Sequence, residues 1–229
     1  PQSQHQLLSV DEWMTILGAF HQVGVKAVRL TGGEPLLYPH IEELLARINN
    51  TGWFEDISMT TNGSLLAPRA EKLKELGLNR VNISLDSLDS DAFALCVGKA
   101  NQLDSVLSGI QSAIDAGFTS VKINTVLSRH WTDDEVRALL TYVETWPVIW
   151  RFIEYMPFQG DAFHGPTFDE WKAQLERVSG GILTENHGVY GFGPATYYNL
   201  PSGKEIGFIF SMSHSYCDTC NRVRLTSDG

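Results

Sequence analysis

Short segments rich in Val and Ile recur along the chain, with a helical pattern between each and the next. They lie at residues 25–31, 56–61, 80–86, 120–126 and 148–156. Each has the length and composition of a buried strand. Because a helix returns the chain to the same end of a sheet, strand and helix in alternation predict parallel pairing. A repeat of about 30 residues fits one unit of a (β/α) barrel, so we predict an α/β fold.

Residues that start and stop helices support this alternation. Ser9 and Glu12 form a capping-box pattern at the start of the first helix, which is predicted to stop at Gly24. Further helices are predicted at 39–50, 68–77, 103–117 and 132–146. After residue 156 the pattern changes to a helix at 167–178 and a hairpin that turns at 201–203. We therefore predict a partial barrel over 1–156 and a partial C-terminal extension over 157–229.

Composition narrows the classes of function. The 229 residues are 43% hydrophobic and 19% charged, as in ordinary globular proteins, and no apolar run approaches the roughly 20 residues of a membrane span. A formal net charge of −10 argues against sequence-independent binding of nucleic acid. Three cysteines are too few for a disulfide scaffold, so we expect a cytoplasmic protein. From the net charge and the short apolar runs we expect no nucleic-acid partner and no membrane partner.

Polar residues recur on one face of the predicted strands, since residues two apart share a face. They are Arg29 and Thr31, then Asn82, Ser84 and Asp86, then Lys122 and Asn124. A purely structural barrel interior is filled by Val, Ile and Leu, so a polar face indicates a cavity that holds a ligand. The alternative is that these are edge strands with one face in water.

Three cations carried by these strands could together bind a triphosphate. They are Arg29, Lys122 and Arg151, and such a ligand needs several fixed donors. Lys26 and Arg80 lie at strand starts, where we expect them to be solvated.

Two glycine-containing turns follow the first two strands. Gly32 and Gly33 permit close backbone approach, and Glu34 adds a carboxylate. The "TTNG" segment at 60–63 places hydroxyl and amide groups on the carboxyl-end rim, where barrel enzymes carry their sites.

The cysteines give only part of a metal site. Cys217 and Cys220 are spaced C-x2-C, which suits zinc or an iron-sulfur cluster, and His214 would be a further zinc ligand. Two thiolates are not enough for either metal. Cys96 is expected to be a buried apolar residue.

Six segments, in this order along the chain, resemble the GTP 3′,8-cyclase family of molybdenum cofactor biosynthesis, whose members are radical S-adenosylmethionine enzymes. The segments are "VRLTGGEPLLYP", "MTTNGSLL", "VNISLDSLD", "VKINTV", "RFIEYMPFQG" and "CDTCNRVRLTSDG". The resemblance implies an incomplete (β/α)6 barrel with a C-terminal α+β extension, and two [4Fe-4S] clusters in the full-length protein. It also implies an enzyme, a lyase, in which a radical from S-adenosylmethionine takes the 3′ hydrogen of GTP before C3′ attacks C8. A cyclic pyranopterin monophosphate synthase would act next, and a homodimer is one option for assembly.

The resemblance also assigns residues. The implied S-adenosylmethionine pocket is made of Gly33, Glu34, Thr60, Asn62, Ser84 and Met156. The implied GTP contacts are Arg29, Lys122, Arg151, Arg222 and Arg224. Cys217 and Cys220 would ligate the second cluster. No side chain is assigned as an acid or base.

This chain lacks several residues that the resemblance leads us to expect. The cysteines of the first cluster would precede residue 9, and the third ligand of the second cluster would follow Gly229. A family lysine two residues before Arg29 is replaced by Ala27. We therefore expect a fragment that lacks the first β/α unit and is inactive by itself. Two other functions stay open: a different radical enzyme with a C-terminal auxiliary cluster, and a non-catalytic nucleotide- or zinc-binding relative.

Overall fold

The computed structural model describes residues 7–98, 102–157, 165–188, 193–214 and 220–229. Two compact units are present, and both are discontinuous in sequence. The first unit comprises Pro1–Ile83, Asp104–Val121 and Asn221–Gly229, and the second comprises Ser84–Leu103 and Lys122–Cys220. The predicted boundary between residues 156 and 157 stays a prediction.

The helices and strands alternate as the sequence predicts. In chain order they are α1 (Val10–Gln22), β1 (Ala27–Leu30), a 3-10 helix (Pro35–Leu37), α2 (Ile41–Thr51), β2 (Asp56–Thr61), α3 (Ala70–Glu75), β3 (Arg80–Ser84), α4 (Ser90–Val97), α5 (Leu103–Asp115), β4 (Ser120–Val126), α6 (Asp133–Thr145), β5 (Ile149–Ile153), α7 (Phe168–Ser179), β6 (Thr184–Asn186), β7 (Thr196–Asn199) and β8 (Glu205–Ile209).

The first unit contains parallel strands in the order β1, β2, β3. The helix α1 begins as predicted, with a capping box in which the Ser9 hydroxyl accepts from the Glu12 N–H and the Glu12 carboxylate bonds back to Ser9. Gly52 ends α2 with a left-handed φ of 63°. Side chains such as Leu45, Met59 and Leu73 are fully buried, so helices and strands here share one apolar core.

The second unit continues the parallel pattern and then reverses it. Strand β4 pairs in parallel with β5, and β5 pairs in parallel with β8. Strands β8, β7 and β6 are joined by antiparallel pairing. The predicted hairpin is thus confirmed as β7 and β8, and its turn is closed by the bond from the Gly203 N–H to the Leu200 carbonyl. The α/β class with a mostly parallel sheet is confirmed.

Several details of the sequence prediction are wrong. Strand β1 covers only Ala27–Leu30 of the predicted 25–31, and β5 ends at Ile153 rather than residue 156. Strand β3 ends at Ser84 rather than residue 86, because the Asp86 carboxylate itself accepts from the Val126 N–H at 2.8 Å. Cys96 is exposed, not buried. It lies on α4, a helix that the sequence did not predict and that buries Phe93 alone among its residues.

No helix in the described ranges is both long and apolar enough to cross a membrane.

Candidate functional site

The glycine turn after β1 leaves its backbone open. Gly32 has a φ of +149°, which residues with a side chain rarely adopt, and both Gly32 and Gly33 are exposed. A Cβ built on either glycine would meet no atom within 4 Å. The peptide groups of this turn are therefore accessible to a polar ligand at the carboxyl end of a parallel strand, where such folds bind ligands.

Glu34 connects this turn to the segment after β2. Its Oε1 accepts from the Leu36 N–H at 3.0 Å and from the Thr61 hydroxyl at 2.7 Å. Its Oε2 accepts from the Asn62 N–H at 2.7 Å. These three bonds place the carboxylate in a bracing role, so Glu34 would contact a ligand through its backbone. The two predicted turns are thus joined by one side chain.

The turn at Gly63 is also held by close packing. Gly63 has a φ of +79°, and its carbonyl oxygen lies 2.3 Å from where a Cβ on Gly109 would be. Gly109 belongs to α5, so the missing side chain lets this helix approach the turn directly. The Asn62 amide oxygen accepts from both the N–H and the hydroxyl of Ser64, which fixes the exposed Asn62 side chain.

The polar face predicted for the strands is present in the first unit. Arg29 pairs in register with Ser58, and its Nε lies 3.5 Å from the Ser58 hydroxyl oxygen. The amide of Asn82, which is 4% exposed, donates to the Met59 carbonyl and lies 3.4 Å from the Thr60 hydroxyl. Arg29 itself is exposed on β1, the outer strand of this unit, as the edge-strand alternative expects.

One cation in this unit behaves differently from the prediction. Arg80 is not solvated, because its guanidinium forms a two-pronged ion pair with Asp56 and only 14% of each side chain is exposed. Lys26 is exposed as predicted, with its ammonium 3.3 Å from Glu55. The pairing of Arg80 is therefore a structural contact between β2 and β3.

In the second unit two cations are buried on one strand face. Lys122 and Arg151 are each 3% exposed. The Lys122 Nζ lies 3.3 Å from the Tyr197 hydroxyl, and the Arg151 Nε donates to the Asn124 amide oxygen at 2.9 Å. Arg151 pairs in register with Asn124, two residues beyond Lys122 on the same strand. Both cations therefore project from the same face of β4 and β5.

Past the end of β5, Glu154 holds a loop that follows β8. It is 7% exposed, and its carboxylate accepts from the N–H groups of Met212, at 2.6 Å, and Ser213, at 3.1 and 3.2 Å. The predicted ligand residue Met156 lies two residues on, is 56% exposed, and accepts from the Ser211 hydroxyl at its Sδ. The loop at 211–213 is thus fixed to the end of β5.

Asp86 and Ser84 lie at the carboxyl end of β3. Burial raises the pKa of the Asp86 carboxyl, while the bond from the Val126 N–H acts in the opposite direction. Ser84 is half-buried. Ser84 and Asp86 are thus the residues of the predicted polar face that lie at the carboxyl end of β3.

Only some of the predicted metal ligands in the C-terminal segment are among the described residues. Cys217 lies outside the described residues. Cys220, Arg222 and Arg224 are all exposed. His214 packs its ring 4.8 Å from that of Phe168. Within the described part of the chain, no group of three His, Cys, Asp or Glu side chains could hold a metal ion.

Sequence reasoning missed several residues of this arrangement. They are Thr61, Tyr197 and Glu154. Thr61 could have been found, because it lies in the "TTNG" segment beside the residues that were chosen. Tyr197 could not, since nothing in its local sequence connects it with Lys122.

Two family models match this chain. Residues 2–143 match the Radical SAM superfamily, and residues 148–229 match the family described as Molybdenum Cofactor Synthesis C. Solved structures agree in fold: Streptococcus suis SuiB bound to S-adenosylmethionine has a TM-score of 0.58 at 21% identity, over 76% of this chain and 38% of that one. Methylornithine synthase has a TM-score of 0.56 at 19% identity, over 75% and 52%. The chain belongs to the radical SAM superfamily.

Curated relatives narrow the family further. A GTP 3′,8-cyclase of Pelotomaculum thermopropionicum is 40% identical over 228 residues, which cover 98% of this chain and 70% of the relative. One of Trichodesmium erythraeum is 43% identical over 235 residues, which cover 99% and 70%. This chain is therefore a member of the GTP 3′,8-cyclase family.

Superfamily membership implies a [4Fe-4S] cluster and S-adenosylmethionine. The open backbone at Gly32 and Gly33, braced by Glu34, fits the polar amino-acid end of S-adenosylmethionine. The cluster is a different case. The cysteines within the described ranges are Cys96 and Cys220, and they do not make a cluster site.

Proposed function

We propose that this protein is a radical SAM GTP 3′,8-cyclase, which converts GTP into (8S)-3′,8-cyclo-7,8-dihydroguanosine 5′-triphosphate in the first step of molybdenum cofactor biosynthesis. The observation that carries the proposal is the pair of buried cations, Lys122 and Arg151, on one face of adjacent strands in a member of this family. Lysine and arginine side chains form charge-assisted hydrogen bonds with phosphate oxygens, so two of them on adjacent strands would suit the triphosphate of GTP.

The proposal divides the binding work between residues. Lys122 and Arg151 would bind the triphosphate, helped by the exposed guanidinium groups of Arg29, Arg222 and Arg224. These groups offer forked or mobile donors that suit phosphate oxygens. By holding the triphosphate, these cations would keep the ribose and base of GTP in one orientation.

The residues proposed for S-adenosylmethionine lie at strand ends. Gly33 and Glu34 would bind its amino group through their backbone, and Thr60, Asn62, Ser84 and Met156 would complete the contacts. When bound, S-adenosylmethionine supplies the radical that removes the 3′ hydrogen atom of GTP. The hydrogen bond that Glu34 accepts from the Asn62 N–H would keep Asn62 in place for its contact.

Several finer predictions belong with this function. Two [4Fe-4S] clusters, the second of them on Cys217 and Cys220, stay a prediction, as does a partial barrel over residues 1–156 with an extension over 157–229. A cytoplasmic location, a homodimer and transfer of the product to cyclic pyranopterin monophosphate synthase also stay predictions.

Nucleotide binding tests the proposal directly. Calorimetric titration of the purified protein with GTP, ATP and guanosine should show a preference for GTP over both others. Replacing Lys122 and Arg151 together by Ala should weaken GTP binding by at least about 100-fold, since each charged contact contributes on the order of 1.5 to 3 kcal/mol. The matched control is Lys26→Ala, which changes an exposed lysine paired with Glu55.

An activity assay completes the test. The full-length gene product, reconstituted with iron and sulfide under anaerobic conditions, should form the cyclised nucleotide from GTP in the presence of S-adenosylmethionine. Binding of S-adenosylmethionine without any preference for GTP would indicate another radical enzyme instead. One zinc ion per chain that is lost on His214→Ala would indicate the non-catalytic relative.

A further inference from the structure

A single row of residues crosses four strands of the second unit. Asn124 pairs with Arg151, Arg151 with Gly207, and Gly207 with Tyr197. Residues paired in register project from the same face of a sheet. Lys122 lies on this face too, two residues before Asn124.

Tyr197 meets Lys122 with both its hydroxyl and its ring. The Lys122 Nζ lies 3.3 Å from the Tyr197 hydroxyl oxygen and 5.6 Å from the centre of the ring. Tyr197 is 9% exposed and Lys122 is 3% exposed, so both groups are held by their surroundings. Hydroxyl and ring together restrict where the flexible lysine can place its ammonium.

Gly207 provides the space that this contact requires. A Cβ at Gly207 would lie 2.8 Å from the Arg151 Cγ and 3.0 Å from the Tyr197 Cε1. Real Cβ atoms essentially never approach another atom within 3.0 Å, so an alanine here would displace one of these side chains. The missing side chain therefore lets Arg151 and Tyr197 lie next to each other over β8.

We propose that Tyr197 is a positioning residue that orients the Lys122 ammonium toward the triphosphate of the substrate, and that Gly207 gives it the room to do so. The inference rests on the proposed function for the identity of the anion. The Tyr197 hydroxyl and the Asn124 amide oxygen each hold one of the two cations, and the Lys122 and Arg151 side chains would bring positive charge to the phosphates.

The test is Tyr197→Phe, which keeps the ring and removes the hydroxyl. Its matched control is Tyr198→Phe, because the neighbouring tyrosine projects from the other face and its hydroxyl lies 3.3 Å from Glu185 instead. Calorimetric titrations of each variant use GTP, guanosine and inorganic tripolyphosphate. Tyr197→Phe should weaken binding of GTP and of tripolyphosphate by about tenfold, the size expected for one hydrogen bond to a charged group, and change guanosine binding by less than about twofold.

Gly207→Ala is the second variant. It should weaken GTP and tripolyphosphate as Tyr197→Phe does, while Tyr198→Phe should bind all three ligands like the wild type. Thermal unfolding of every variant separates a binding effect from a loss of folded protein. An unchanged affinity of Tyr197→Phe for both phosphate ligands, or an equal loss for guanosine, would overturn the inference.

Tripolyphosphate separates the inference from the proposed function. If wild type binds tripolyphosphate but shows no preference for GTP over ATP, the cyclase proposal fails. A tenfold weakening by Tyr197→Phe in that protein would still support Tyr197 as the residue that orients Lys122. A wild-type protein that binds neither phosphate ligand would overturn both.

Discussion

Glu34 and Glu154 perform the same task in different units of the molecule. Each follows a parallel strand and accepts hydrogen bonds from two backbone N–H groups. For Glu34 these belong to Leu36, in the short 3-10 helix, and to Asn62, and for Glu154 they belong to Met212 and Ser213. Glu34 is half-buried and Glu154 is buried. The difference is in the sequence signal, because Glu34 stands in a glycine-rich turn and nothing local marks Glu154. Two segments of this chain that follow strands are therefore held by a carboxylate, one inside a glycine-rich motif and one outside any motif.

Glu34→Ala should have the largest effect. It removes three bonds at once, so we expect the free energy of unfolding to fall by about 3 kcal/mol and S-adenosylmethionine binding to weaken at least about tenfold. Urea denaturation and calorimetric titration measure the two effects. Glu71→Ala, an exposed position on α3, is the control. If both variants unfold at the same urea concentration, Glu34 does not brace the turns.

Glu154→Ala should cost somewhat less, about 2 kcal/mol, because two N–H groups lose their acceptor. Hydrogen exchange read residue by residue should show faster exchange at Met212 and Ser213 than in the wild type. The control is Glu144→Ala, which changes an exposed carboxylate bonded to Ser202. Unchanged protection at both amides would mean that the loop is held by something other than Glu154, and the parallel with Glu34 would fail.

Gly109→Ala tests whether close packing of α5 against the Gly63 turn adds to the stability that the Glu34 hydrogen bonds provide. The new Cβ would lie 2.3 Å from the Gly63 carbonyl oxygen, so α5 must shift, at a cost of about 1 to 2 kcal/mol in the free energy of unfolding. Ser108→Ala, the exposed neighbour on the same helix, should be within about 0.5 kcal/mol of the wild type. A stabilised Gly109→Ala protein would show that the turn has room to move.

Asp133 is an exposed carboxylate and should show the smallest effect on stability. Hydrogen bonds from Arg177, then from Gln174, lower its pKa to about 2 from an ordinary 3.8. Its contribution to stability is thus fully present above pH 3.8 and is lost as the pH falls toward 2. A carbon-detected NMR titration should find this pKa, and Arg177→Gln should return it toward 3.8. The same low pKa in the variant would contradict this cause.

The sequence predicted what depends on neighbours along the chain. Strands β2 and β4 begin and end where the Val and Ile pattern places them, and the Ser9 capping box involves residues three apart. The helix α4 was missed because its single buried side chain, Phe93, gives no helical periodicity.

The predicted site shows the same division. The glycine turns and the buried cations could be chosen from residue type and strand position. Tyr197 and Glu154 could not, because their partners lie 75 and more than 50 residues away along the chain. Arg80 was misjudged for the same reason, since Asp56 meets it only through the register of β2 and β3.

The distance along the chain between Lys122 and Tyr197 also has a consequence for folding kinetics. Closing a loop of 75 residues carries an entropy cost that local contacts do not, so this pair should form after the helices and the neighbouring strands β4 and β5. If Lys122 binds the triphosphate as proposed, a refolding chain would gain most of its secondary structure before it can bind GTP. The capacity to bind nucleotide should therefore be among the last properties that the protein acquires.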